Sequence, residues 1–160
     1  MNSDPARALL RHTLATLAYR GRKVLAGAPD SFATFRLMEQ GRSPAEILAH
    51  IGDLLDWGLS IAQGAQRWNN STPLPWNEEV QRFFSALAAL DSFLASPEPL
   101  AQPPEKLFQG PIADALTHVG QIAMLRRISG AKVRGENYYV ARIETGNVGS
   151  EQPAPVREFD

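Results

Sequence analysis

A repeat of apolar residues every three or four positions, in four separate segments, is the feature that most restricts the fold of this chain. Such spacing places the apolar side chains on one face of an α-helix. The segments run from about Asp4 to Leu25, from Ser43 to about Gly64, from about Asn77 to Ala95, and from Pro111 to Ser129. At a rise of about 1.5 Å per residue, each helix is about 30 Å long. The sequence therefore predicts an all-α protein whose four helices form a bundle.

Residues at the helix starts support these bounds. Asp4 can cap the first helix, and Ser43 with Glu46 fits a capping box at the start of the second, in which each side chain accepts from the other residue's backbone N–H. The prolines between residues 97 and 104 indicate a connection. Pro111 is predicted at the first position of the fourth helix, where its missing N–H costs nothing. Three of the four predicted helix starts therefore carry a signal of their own.

The segments between and after the helices have less regular patterns. The connections from the first helix to the second, and from the second to the third, are long enough to cross the bundle, and residues 30–42 can hold a short helical turn. Asn137 to Val140 fit a short extended piece, followed by an irregular C-terminal tail. We therefore predict one domain, with the bundle in residues 1–135 and a tail in residues 136–160 that packs on the bundle or on a dimer partner.

Composition excludes several functional classes. The 160-residue chain has 16 basic and 17 acidic residues, and the basic ones are scattered, whereas a nucleic-acid-binding surface normally needs a basic stripe. The absence of cysteine excludes disulfides, thiolate metal ligands and cysteine nucleophiles. No segment has the pattern of a leader peptide or of a membrane span. We expect a cytoplasmic protein with neither a nucleic-acid nor a membrane partner.

His50 interrupts the apolar face of the second predicted helix. It lies three residues after Ile47 and four before Leu54, so it shares their side of the helix. A histidine in such a position is often a core residue satisfied by one hydrogen bond. It is also a candidate metal ligand, and the choice depends on what the facing helices offer.

The fourth helix carries a second pair of polar residues. Asp114 and His118 are four residues apart, so their side chains stack on one helical face. The pair can be a simple surface hydrogen bond, or it can chelate a divalent metal ion. With His50 from a facing helix, the set becomes two histidines and one carboxylate, which leaves coordination positions open for water or substrate.

Three neighbouring residues are candidates for supporting such a site without binding the metal. Asp53 lies one turn from His50 and Gln121 one turn from His118, so either can orient an imidazole or hydrogen-bond a substrate. Trp57, seven residues after His50, can form a pocket wall on that side. Asp53 and Trp57 also have interpretations without a functional role. Asp53 can simply be exposed to solvent, and Trp57 can pack in the core or at a dimer interface.

Two segments resemble the DinB/YfiT-like superfamily of four-helix-bundle proteins. SPAEILAHIGDLLDW resembles its second helix, in which a histidine binds a metal ion. THVGQIAMLRRISG resembles its fourth helix, in which a ligand histidine precedes Gly-Gln-Ile and a Leu-Arg pair. The resemblance runs from the first helix to about Gly130 and is specific in these two segments. It implies that His50 and His118 are metal ligands.

The family's other fourth-helix ligand, usually histidine, falls on Asp114. Aspartate keeps the spacing and can bind Zn²⁺, Ni²⁺, Fe²⁺ or Mn²⁺, so the resemblance implies a divalent metal site formed by His50, Asp114 and His118. It further implies a homodimer and a small-molecule substrate, with a low-molecular-weight thiol as one candidate. The expected function is a metal-dependent enzyme, either a hydrolase or a thiol S-transferase, that activates a water or a thiol.

One alternative remains open. A non-catalytic dimeric bundle with a binding or stress-response role would keep the three polar residues as a hydrogen-bonded cluster at a decayed metal site. Access from solvent separates the two hypotheses, because catalysis needs an open path to the site and a structural cluster can be sealed.

Overall fold

The computed structural model describes residues 4–159, so the first three residues of the predicted bundle and the last residue of the predicted tail lie outside the described residues. The regular elements are helices α1 (Pro5–Leu25), α2 (Pro44–Ala62), α3 (Trp76–Ala95), α4 (Pro104–Leu107) and α5 (Ala113–Ile128), and strands β1 (Gly135–Glu136) and β2 (Glu158–Phe159). The two strands pair antiparallel. The predicted all-α class is therefore confirmed. No described helix combines the length and the apolar composition needed to cross a membrane.

The four long helices pack around one core. Helix α1 packs against α3 and α5, and α2 packs against the same two helices. The connection from α1 to α2 therefore crosses between diagonally placed helices, and it contains a short 3₁₀ helix at Asp30–Thr34 within the segment expected to hold a turn. The connection from α2 to α3 joins helices that pack on each other, so the expected crossing there is wrong. The second crossing instead leads from α3 through α4 to α5.

The core consists of the apolar faces that the periodicity predicts. Its largest fully buried side chains include Leu14, Leu17, Ile51, Leu55, Phe83, Leu87, Leu90 and Ile112. Burying each such side chain contributes about 1.5–3 kcal/mol. Gly21 lets α1 and α3 come close, because a Cβ at that position would lie 2.6 Å from the Phe83 ring. Ile128, at the end of α5, lies outside this core because its side chain is exposed.

Both predicted N-terminal caps are present. The Asp4 carboxylate accepts from the backbone N–H of Ala6 at 3.0 Å. At the start of α2, the Ser43 hydroxyl accepts from the Glu46 N–H at 3.3 Å, while the Glu46 carboxylate accepts from the Ser43 N–H at 2.7 Å. These bonds satisfy N–H groups that have no partner within the helix, and the capping-box prediction is confirmed.

Pro111 does not open the fourth long helix, so that prediction is wrong. The helical chain already begins at Pro104, and Pro111 lies inside a π-helical turn at Phe108–Ile112 that joins α4 to α5. A π turn is wider than an α turn and accommodates a residue without an N–H. The Pro111 ring also packs closely on α2 at Gly58, where a Cβ would lie 3.2 Å from it.

The C-terminal tail packs along α1. The Glu136 carboxylate accepts from the Tyr19 hydroxyl at 2.5 Å and from the Lys23 ammonium at 2.8 Å, and Lys23 also binds Glu158 at 2.9 Å. The predicted extended piece is wrong, because Tyr138–Val140 form a 3₁₀ turn in which the Asn137 side chain accepts from the Tyr139 N–H. Asparagine favours such local turns over strands.

Arg126 ties the end of α5 to the end of α1. Its buried guanidinium donates to the carbonyl oxygens of Val24 and Ala26, both at 3.0 Å, and to that of Ala131 at 2.7 Å. The carbonyls at a helix C-terminus lack partners within the helix. The arginine of the Leu-Arg pair therefore has a structural role in this chain.

Candidate metal centre

Helices α2 and α5 bring three potential metal ligands together at the edge of the core. His50 comes from α2, and Asp114 and His118 come from the first half of α5. The two helices pack on each other through apolar side chains on the same faces, which fixes the ligands on rigid elements. The π turn at Phe108–Ile112 leads directly into α5.

The distances between the ligand atoms fit a shared cation. His118 Nε2 lies 3.4 Å from Asp114 Oδ1, and His50 Nε2 lies 3.9 Å from Asp114 Oδ2. One ligand atom from each residue lies within 4.8 Å of the other two. Two ligands about 2.1 Å from a tetrahedral metal lie about 3.4 Å apart, whereas direct N–H···O bonds are about 2.7–3.2 Å long. The predicted group can thus hold a metal ion.

The group is open to solvent on the Asp114 side. The exposed fraction of the side chain is 48% for Asp114, 20% for His50 and 13% for His118. Both imidazoles are therefore largely enclosed, while the carboxylate lies at the mouth of the site. Solvent therefore reaches the group through the Asp114 carboxylate.

Gln121 lies beside His118 at hydrogen-bond distance. Its Oε1 is 2.7 Å from His118 Nδ1, so the amide oxygen accepts and Nδ1 carries the proton. That tautomer leaves the Nε2 lone pair facing Asp114. Holding the second ring nitrogen in this way is the usual means by which proteins orient a metal-binding histidine.

The surroundings of His50 favour its neutral form. Burial lowers the pKa of His50, and electrostatic interaction with His118 and Arg42 lowers it further, against the opposite effect of Asp114. A histidine must be neutral to bind a metal. His50 is therefore available as a ligand at neutral pH.

Trp68 forms an aromatic wall that the sequence did not reveal. Its ring centroid lies 5.6 Å from that of His50, and the two imidazoles meet edge to face at 4.7 Å. Trp57 packs against Trp68 at 5.8 Å and against the core, so Trp68 stands between Trp57 and His50. The only signal for Trp68 was its place at the start of the non-helical segment WNNSTPLPW.

Asp53 has a different environment from the one expected. It is buried, not exposed, and it accepts from the Ser71 N–H at 2.9 Å, from the Ser71 hydroxyl at 2.6 Å and from Arg82 Nη2 at 2.6 Å. Burial by itself would raise the pKa of Asp53, but the hydrogen bonds from Ser71 and Arg82 outweigh it and lower that pKa. Within the described chain Asp53 makes no hydrogen bond to His50, and it holds the loop that carries Trp68.

The third histidine is remote from this group. His12 is exposed on α1, with Nδ1 3.2 Å from the Thr145 hydroxyl. No protein-family model, no curated protein and no solved structure matches this chain.

Proposed function

We propose that the chain is a metal-dependent enzyme of the DinB/YfiT-like type, with His50, Asp114 and His118 as ligands of one divalent cation. The observation that carries the proposal is the convergence of three ligand atoms within 4.8 Å, from two helices, beside an opening to solvent. Two nitrogen ligands and one oxygen ligand suit Zn²⁺, Ni²⁺, Fe²⁺ or Mn²⁺.

The chemistry is the activation of a water or a thiol against a small-molecule substrate. A divalent cation at such a site lowers the pKa of a bound water or thiol and so supplies a nucleophile at neutral pH. The chain's own residues divide the remaining tasks. Gln121 orients His118, Trp68 shields His50 on one side, and the half-exposed Asp114 leaves the opposite side accessible. Hydrolysis and thiol S-transfer both fit, and the homodimer stays a prediction.

The geometry favours this proposal over a non-catalytic bundle with a hydrogen-bonded polar cluster. Such a cluster needs direct bonds between Asp114 and the imidazoles, yet the nitrogen–oxygen distances are 3.4 and 3.9 Å. It would also be stable when sealed from solvent, whereas the Asp114 side chain is 48% exposed. The separation and the opening both fit a bound cation.

The test is the metal content of the untagged protein after dialysis against Zn²⁺, Ni²⁺, Mn²⁺ and, without oxygen, Fe²⁺. We expect near-stoichiometric binding of at least one metal, measured by plasma mass spectrometry. Asp114→Ala and His118→Ala should lose that metal, because each removes one of only three ligands. His12→Ala is the matched control, since it removes a histidine outside the group and should keep the metal.

Two results would contradict the proposal. A wild-type protein that stays empty in all four metals would rule out the centre. Metal that persists in both ligand variants but disappears in His12→Ala would assign it to another place on the chain.

A further inference from the structure

A cleft of about 340 Å³ opens beside His50, on the side away from the core. Its lining consists of Arg42, Glu46 and His50 on or just before α2, of the buried Asp53, and of the loop residues Asn70, Ser71, Thr72 and Pro73. The cleft therefore shares one imidazole with the metal centre. A molecule that reaches the metal from this side would lie against the loop and against Arg42.

Arg42 is the exposed cationic side chain of this lining. The Glu46 carboxylate binds Arg36 at 2.8 Å, and the Asp53 carboxylate binds Arg82 at 2.6 Å, a guanidinium that Asp53 shares with Asp56 and Glu79. Among residues 4–159, no carboxylate lies within ion-pair distance of Arg42. The lining thus carries one exposed guanidinium with no ion-pair partner among these residues.

The opposite wall is held in place by Asp53. Both the N–H and the hydroxyl of Ser71 donate to this carboxylate, which is anchored by Arg82 in turn. Gly52 makes room for the anchor, because a Cβ there would lie 2.9 Å from the Arg82 guanidinium carbon. Asn70 and Thr72 lie on either side of Ser71 in the loop. Both are exposed, so their polar groups can hydrogen-bond a ligand.

A guanidinium beside a cation site is unfavourable unless an anion lies between them. Like charges repel each other, and Asp114 balances only one of the two charges of a divalent ion. A negatively charged ligand in the cleft would remove this repulsion. Such a ligand would also give the Arg42 guanidinium a partner.

We infer that this cleft is the binding site for the carboxylate of a small monoanionic substrate, with Arg42 as its partner and Asn70 and Thr72 as further hydrogen-bond donors. This inference rests on the proposed function, because it places the reacting end of the substrate at His50, Asp114 and His118. Arg42 is a specificity-determining residue, and Asp53 is a positioning residue that acts through Ser71.

A carboxylate fits better than a phosphate dianion. The planar guanidinium forms two parallel hydrogen bonds with a carboxylate. A phosphate dianion normally requires several cations or a row of backbone N–H groups. This cleft offers one free guanidinium, and the Glu46 and Asp53 carboxylates nearby would repel a second negative charge.

The test compares two thiols that differ only in charge, 3-mercaptopropionate and 3-mercaptopropionamide, with the cobalt-loaded protein. The thiolate-to-cobalt absorption reports binding at the metal, and the difference between the two ligands isolates the carboxylate. We expect the acid to bind about tenfold more tightly than the amide, which corresponds to about 1.4 kcal/mol. Arg42→Gln should reduce this ratio to about one, because both ligands are compared in the same cobalt-loaded variant and only the acid loses a partner.

Arg127→Gln, at the exposed end of α5, is the matched control and should keep the full ratio. Equal binding of acid and amide by the wild type would overturn the inference, as would a ratio that survives in Arg42→Gln. If cobalt does not bind, the proposed function fails and a second measurement decides the inference separately. Propionate added to the metal-free protein should shift the NMR amide signals of Ser71 and Thr72 in the wild type but not in Arg42→Gln. An absent shift, or an equal one, would overturn it.

Discussion

His50 and Asp53 lie one turn apart on α2, yet their surroundings are opposite. Asp53 is buried and accepts three hydrogen bonds of 2.6–2.9 Å from Ser71 and Arg82. His50 faces Asp114 at 3.9 Å, which is too long for a hydrogen bond, and one fifth of its side chain is exposed. The Asp53 carboxylate is thus fully hydrogen-bonded. The His50 imidazole is close to Asp114, His118 and Trp68 but makes no hydrogen bond to any of them.

The difference distinguishes a structural polar residue from a ligand-binding one. A buried charge is tolerated only when its partners are close, because its desolvation must be offset by hydrogen bonds and opposite charge. A metal-binding group needs the reverse, with ligand atoms held apart at the distances that a cation requires. On α2 the two arrangements adjoin, since Asp53 fixes the loop whose Trp68 packs on His50.

The largest effect should come from removing the side chain of Asp53, the structural residue of this pair. Asp53→Ala removes the nearest of the carboxylates that bind Arg82 and releases Ser71, so the free energy of unfolding should fall by about 3 kcal/mol. In the metal-free protein, His50→Ala should cost less than Asp53→Ala, because within residues 4–159 the imidazole makes no hydrogen bond and only its packing on Trp68 and His118 is lost. Urea unfolding of both variants measures the contrast.

Asp56→Ala provides the control for this experiment. Asp56 also binds Arg82, at 3.0 Å, but its side chain is 42% exposed. An exposed ion pair contributes at most about 1 kcal/mol, so this variant should remain close to wild type. Equal losses of stability in Asp53→Ala and metal-free His50→Ala would break the comparison and make His50 a structural residue as well.

A smaller effect should follow from releasing His118. Gln121→Leu keeps the size of the side chain but removes the oxygen that accepts from Nδ1, so metal affinity should fall about tenfold. The stability of the metal-free protein should stay the same, because Gln121 is exposed and its bond is not in the core. Competition with a chromophoric chelator measures the affinity.

Gln121→Glu separates orientation from packing. It retains an acceptor at the same position and should restore the affinity that Gln121→Leu loses. Weak binding in both variants would show that the amide is needed for something other than its acceptor oxygen. Full affinity in Gln121→Leu would remove Gln121 from the metal centre.

The difference between His50 and Asp53 also indicates which features of the fold and the site the sequence could predict. The long helices and the caps at Asp4 and Ser43 follow from residues within one or two turns of each other, and the site residues Asp114 and His118 are likewise one turn apart. Local spacing determines such contacts almost completely. His50 could be paired with them because it interrupts an apolar face that must point towards another helix.

Features that depend on distant contacts could not be predicted. Asp53 is bound by Ser71, 18 residues later, and by Arg82, 29 residues later, so its burial depends on the path of a loop. Trp68 reaches His50 through the same loop. The π turn around Pro111 arises because α4 already started the helix and the proline ring packs on α2 at Gly58. The spacing of residues along the chain does not indicate that Pro111 and Gly58 are in contact.

The smallest expected effect is a dependence of stability on acid pH that Asp53, the structural residue of the pair, should produce. The hydrogen bonds from Ser71 and Arg82 keep the pKa of Asp53 below its ordinary value of 3.8, although burial acts in the opposite direction. Above that ordinary value, the carboxylate is ionised in both the folded and the unfolded chain, and its full contribution to stability is present. Below it, the unfolded chain takes up a proton that the folded protein does not, so this contribution is lost as the pH falls through the folded pKa.

Asp53→Asn removes the titrating group while keeping its shape, and should be less stable than wild type at neutral pH. The difference in the free energy of unfolding should be constant above about pH 5 and should shrink as the pH falls below the ordinary pKa of an aspartate. Urea unfolding at a series of pH values, with Asp56→Asn as the exposed counterpart, measures it. Parallel stability curves for wild type and Asp53→Asn down to the acid limit would mean that Asp53 has the same pKa in both states, and its hydrogen bonds would then not stabilise the ionised form.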